Sequence, residues 1–187
     1  MSDAGVGEQP LVDEFGRPEP PASGTETEVL LGFLEYQRAT FAWKTGGLDA
    51  AGLQVTVAAS SMTIGGMIKH LAYVEDSWFH IRLFDAEPPA PWDAVDWDAD
   101  PDWEWHSAGS DTPEQVYALW QESLARSRVA VASAMAAGGM GYLARYRFRD
   151  GRAPNLRWIV THMIEEYARH NGHVDLIRES IDGLVGE

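Results

Sequence analysis

The chain has 187 residues, 45% of them apolar and 23% charged, which bounds it to one soluble globular domain long enough for a single core. A formal net charge of −15 argues against nucleic-acid backbones and anionic membranes as partners, and no apolar run reaches the roughly 18 residues a membrane span needs. The absence of cysteine excludes disulfides, thiolate metal ligands and a cysteine nucleophile. Any reacting thiol must therefore come from a cofactor, and a cytoplasmic location fits this composition.

Residues 1–24 read as an irregular arm, acidic and rich in Pro and Gly, without the apolar stretch of a secretory signal. Residues 25–187 read as one domain. Thr25-Glu26-Thr27-Glu28 is a capping box. It opens a first helix over 26–45 whose apolar face carries Leu30, Phe33, Leu34, Phe41 and Trp43, and Gly46-Gly47 ends it. A second helix is predicted over 63–84. Met67, Leu71, Val74 and Trp78 mark its apolar side with His70 next to them, and Pro88-Pro89-Ala90-Pro91 bars continuation. Glu75 and Asp76 point away from the His70 face and are expected to be solvated or paired with an arginine. His80 lies roughly 80° off that face at about 100° per residue and is not expected to be a ligand.

Residues 91–105 carry Asp93, Asp96, Asp98, Asp100, Asp102 and Glu104 with no basic residue. No EF-hand glycine and terminal glutamate accompany them, so they read as a solvated acidic loop rather than a calcium site. Trp92, Trp97, Trp103 and Trp105 interleave the acids. Indoles in that number predict a loop that packs back on the helices or onto a partner subunit. Thr112-Pro113-Glu114 starts a third helix over 113–137, with Val116, Leu119, Trp120, Leu124, Val131 and Ala134 inward and Gly138-Gly139 at its end. Tyr142 to Phe148 reads as a short extended piece. Arg145, Arg147, Arg149, Arg152 and Arg157 form a local basic concentration, either a surface segment neutralising nearby acids or an anion clamp.

Asn155 opens the last helix, over 155–182. Residues four apart on a helix share a face, so His162, Glu166 and His170 form a stripe that His173 continues. Ile159, Met163, Val174 and Ile177 lie on or beside it, which turns the stripe toward the core. Imidazoles and a carboxylate on a core face need something to satisfy them, and a divalent metal would do so. Four helices without a convincing sheet predict an all-α four-helix bundle with a long acidic, Trp-rich loop between the second and third helices. Eight tryptophans in so small a chain suggest apolar surface for a partner, and a homodimer is expected.

Gly66-Met67-Ile68-Lys69-His70-Leu71 together with Glu166-Tyr167-Ala168-Arg169-His170-Asn171-Gly172-His173 resembles the DinB-like superfamily of metal-binding four-helix bundles. The likeness covers roughly residues 25 to 183 and is strongest to an actinobacterial branch related to the mycothiol-dependent maleylpyruvate isomerases. The resemblance implies a divalent metal at His70, Glu166 and His170, with zinc favoured and nickel or iron as alternatives. Many superfamily members use three histidines, whereas Glu166 holds the middle position here, as in the isomerases. The resemblance further implies a low-molecular-weight thiol of the mycothiol type, bound through sulfur at the open metal position and attacking an electrophilic small molecule. That makes a thiol S-transferase or isomerase the first expectation. A metal-dependent hydrolase with His173 shuttling protons, or a non-enzymatic metal- or ligand-binding dimer, are the alternatives. His162 is expected to pack or support the site rather than ligate, and His173 is the candidate catalytic residue.

Overall fold

Residues 11–186 are described in a computed structural model of the chain; residues 1–10 of the expected arm, and Glu187, lie outside them. The elements are α1 (Glu26–Thr45), α2 (Ile64–Glu75), α3 (Trp103–Ser107), α4 (Pro113–Gly138) and α5 (Leu156–Asp182). Regular pairing among the described residues is limited to isolated bridges, Val12 with Pro18 and Leu143 with Asn155, so the architecture is all-α. Each long helix begins where its cap places it. The Thr25 and Thr112 hydroxyls accept from the third amide of α1 and α4, and Glu28 and Gln115 return the bond. Asn155 and Thr63 cap α5 and α2 singly. α2 does not end at Glu75 but continues as a π-helix over Asp76–Arg82.

Side-chain pairs give the helix directions. Arg157 meets Glu26 at one end of α1 and α5, and Arg178 reaches the Lys44 and Gly46 carbonyls at the other, so these helices run parallel. Lys69 meets Asp111, and Ser123 and Ser127 reach Asp76 and Glu75, so α2 and α4 also run parallel. His70 faces His170 and Trp78 faces His162, which sets α2 antiparallel to α5. Parallel neighbours cannot be joined by a tight turn. The 85–112 connection must instead retrace α2 and its π extension, a length of about 28 Å.

It does so lying against α2, and its indoles hold it there. Trp92 is buried edge-on to Tyr73, Trp97 stacks on Tyr73 at 4.6 Å, and Trp105 stacks on His70 at 4.7 Å. The crossover is not a plain loop, because the short helix α3 forms within it. It is not uniformly solvated either. The aspartates from Asp93 to Asp102 lie at or near the surface, but Glu104 is only 4% exposed. The helical turn points Glu104 inward, between Trp103 and Trp105.

Glu75 and Asp76 take the second of the two alternatives the sequence left them, pairing with an arginine. Both are fully buried rather than solvated, because α2 has the crossover, α4 and α5 around it and keeps no broad water-facing side. Each has an arginine. The Arg38 guanidinium grips Glu75 through both oxygens at 2.8 and 2.6 Å, and the Tyr167 hydroxyl donates to Glu75 at 2.9 Å while accepting from the Trp120 indole. Burial works against the Arg38 charge, but the Glu75 carboxylate overrides it and raises the Arg38 pKa. Burial and the Glu75 charge push the Tyr167 hydroxyl well above its usual range, so it remains a donor. Asp76 accepts from Arg126 at 2.8 and 2.9 Å, from the Trp92 indole and from Ser123.

Residues 11–19 fold onto α1 through a tight turn. Arg17 is buried there, bonded to Asp13 at 2.6 Å and lying over the Phe15, Tyr36 and Trp43 rings. The Arg145–Arg157 stretch divides its charges. Arg152 pairs with Asp150 and Arg157 with Glu26. Arg145, Arg147 and Arg149 are exposed and form no ion pair among the described residues. The Tyr146 and Phe148 rings between them pack edge-on against Trp78 and Trp158.

Candidate metal centre

Antiparallel packing of α2 on α5 brings His70 opposite Glu166 and His170. One donor atom from each of the three lies within 4.8 Å of the others. Among the described residues this is the cluster of His, Asp and Glu with the spacing a metal ion requires. His70 and Glu166 are half-buried and His170 is buried, so the donors are largely withdrawn from the open surface.

The helical repeat of four explains how α5 supplies its pair. His170 Nε2 stands 3.6 Å from Glu166 Oε2, and His162 Nε2 stands 3.5 Å from Glu166 Oε1 one turn earlier. The Glu166 carboxyl is held below its usual range, first by the His170 ring beside it and further by the His162 and His70 rings, against the opposing effect of burial. Burial lowers the His170 pKa, with the adjacent Glu166 opposing it. At neutral pH the pair is therefore a carboxylate and a neutral imidazole, the forms in which both bind a cation.

The crossover builds the opposite wall. Glu104 Oε1 lies 2.9 Å from His70 Nδ1, and the Trp105 ring stacks on His70 and tilts against His170 at 6.0 Å. Sequence reasoning missed Glu104, which it counted among the solvated acids. The available signal was its position between two tryptophans that had themselves been read as packing inward.

His162 does not join the triad. It stacks on Trp158 and meets Trp78 edge-on, forming the rim toward the start of α5. His173 lies beyond His170 with ring centroids 5.4 Å apart, outside the donor cluster. His80 and His106 lie elsewhere: His80 borders a cleft against α4, and His106 pairs with Asp100 on the surface.

The donor set fits a divalent cation of the zinc type, being two imidazoles and one carboxylate. Orphaned polar atoms point the same way. Of five buried side-chain atoms without a hydrogen-bond partner among the described residues, three, Glu104 Oε2, His170 Nδ1 and His173 Nδ1, belong to side chains in or beside the triad; the others are Asn171 Oδ1 and Asp175 Oδ1. Buried unpartnered polar atoms cost about 1–3 kcal/mol each, and their concentration around one cluster is the pattern expected where a charged group completes a site.

No helix among the described residues is long and apolar enough to cross a membrane. A family model described as mycothiol-S-transferase matches residues 29–183, a span that takes in both α2 and α5 and every residue of the centre. No curated protein matches the chain.

Proposed function

Since the chain belongs to the mycothiol-S-transferase family, a member of the DinB-like superfamily, we propose that it is a metal-dependent transferase that joins a low-molecular-weight thiol of the mycothiol type to an electrophilic small molecule. On this reading residues 25–187 are one DinB-like four-helix-bundle domain, with α1, α2, α4 and α5 as the bundle helices. The observation that carries the proposal is the convergence of His70, Glu166 and His170 within 4.8 Å in a chain without cysteine. The nucleophilic sulfur must then be brought by a cosubstrate.

A divalent cation, zinc before nickel or iron, would be held by His70, Glu166 and His170 and would favour the thiolate form of a thiol. The chain's own residues do the rest. Glu166 is the anionic member of the set and offsets part of the cation's charge. Trp105 covers the His70 face and keeps bulk water off it. His173 is the residue to take the thiol proton, since its Nδ1 is buried without a partner beside His170. Trp78, Trp158 and His162 form an aromatic rim on which an electrophile can lie, with Trp158 41% exposed.

Purified protein incubated with zinc and a panel of electrophiles is expected to consume mycothiol and electrophile together and to do little with water alone. Turnover independent of thiol would replace this reading with the hydrolase. His173→Ala is expected to keep full metal occupancy and lose at least about tenfold in rate, the lower range of general acid–base contributions. Unchanged rate in that variant removes His173 from the mechanism.

We also propose a homodimer in the cytoplasm. Of the eight tryptophans that first suggested a partner surface, those of the crossover are turned onto α2, so the support is now an apolar cleft of Phe84, Ala125 and Ala130 beside Val129, which is 68% exposed. Light scattering at micromolar concentration is expected to give twice the chain mass, and a monomeric mass would reject the assembly.

A further inference from the structure

Glu104 is an odd residue to find buried. It comes from the crossover, in an otherwise surface-lying acidic run, and its side chain is almost closed to solvent. A buried carboxylate ordinarily has an arginine, a lysine or several donors, as Glu75 and Asp76 have here. Glu104 has His70 alone: Oε1 lies 2.9 Å from His70 Nδ1, and Oε2 has no hydrogen-bond partner among the described residues. It is not a member of the donor cluster, so it does not itself complete the triad.

We propose that Glu104 is a positioning residue for the metal centre, holding His70 protonated on Nδ1 so that the Nε2 lone pair is turned to Glu166 and His170. A carboxylate oxygen can only accept, so the hydrogen between the two groups belongs to the ring nitrogen. That fixes the tautomer. The Trp105 stack on the same ring, from the next residue of the crossover, fixes its plane. Carboxylate on one imidazole nitrogen and cation on the other is an arrangement that raises ligand basicity and restricts ring rotation. It also accounts for the burial, because charge shared through the ring from a cation would offset a carboxylate that has one hydrogen bond. Consecutive residues of α3 thus tie the crossover to the centre, so the connection between α2 and α4 is part of the site's construction.

The inference rests on the triad being a metal centre, and the test separates the two. Full-length protein, Glu104→Gln and Glu104→Ala would be titrated with Zn²⁺ alone against a chromogenic chelator, and with Co²⁺ for its visible spectrum. Wild type is expected to bind one equivalent. The glutamine carbonyl can still accept from His70 but carries no charge, and an affinity loss near tenfold is expected, with the alanine variant nearer a hundredfold. The Co²⁺ band shape is expected to be the same in Glu104→Gln, since no ligand is removed. Nitrogen-15 shifts of His70 in the metal-free protein are expected to show the Nδ1-protonated tautomer in wild type and Glu104→Gln, and a mixture in Glu104→Ala. Should the alanine variant fail to fold, the isosteric glutamine variant decides. Affinities within twofold of wild type, or an unchanged His70 tautomer in Glu104→Ala, would overturn the role of Glu104 and leave the metal centre standing. Absence of Zn²⁺ binding by wild type would overturn both.

Discussion

His70→Ala and His170→Ala are each expected to lose zinc affinity by more than about a hundredfold, beyond what loss of a supporting partner costs, while helix content by circular dichroism stays near wild type. Three donors from two helices converge on one point, so removing either imidazole leaves too few to hold a cation against water. The helices survive because their packing lies elsewhere: Leu71 and Met67 of α2, and Met163, Tyr167 and Val174 of α5, are fully buried around the site. Glu166→Gln removes the anionic donor and is expected to weaken binding less than loss of a histidine, since an amide oxygen remains. Glu166→His keeps a nitrogen donor and is expected to retain metal. Full occupancy in the His70→Ala/His170→Ala double variant would reject the centre, and the transferase proposal with it.

The second large effect lies away from the chemistry. Glu75→Ala strands the Arg38 guanidinium in the core and takes the acceptor from the Tyr167 hydroxyl. Removing one partner of a buried pair costs about 3–5 kcal/mol, which for a domain of this size lowers the melting temperature on the order of 10 °C. Glu35 also touches Arg38 at 2.6 Å, but it is half exposed and shared with Arg128, so it compensates only in part. The double change Arg38→Met/Glu75→Leu is expected to recover most of the loss, because no charge is then left unpaired. A melting temperature for Glu75→Ala within about 2 °C of wild type would contradict this account.

Helix ends were the most legible part of the chain because caps are local. Thr25 with Glu28 and Thr112 before Pro113 carry their own geometry, and α1 and α4 start where those residues stand. α3 was not legible. Five residues make too short a helix to hold itself together, and this one forms because Trp103 and Trp105 dock on α2. The Glu166–His170 spacing was readable from one helix alone, whereas placing His70 opposite it needed the resemblance, since no local rule joins residues on separate helices. Glu104 was misread, and Glu75 was left open between solvent and an arginine, for one physical reason. Periodicity says which side of a helix a residue takes, and burial depends on what the rest of the chain lays over that side.

The parallel run of α2 and α4 has a consequence in time as well as in space. An up-and-down bundle of this length can zip through contacts between neighbouring helices, each close in sequence. Here α2 meets α4 only after the 85–112 crossover has closed over it, and His70 meets His170 across more than half the chain. Closing a long loop costs little more entropy than closing a short one, so equilibrium stability barely registers the detour. The rate does, because distant contacts must form before they reward the chain, and folding slows as their share grows. The centre, built from such distant contacts, is therefore expected to assemble late. Trp105 reaches its stacked position on His70 only when the crossover has settled, so replacing it is expected to alter the slow part of the fluorescence change during refolding more than the fast part.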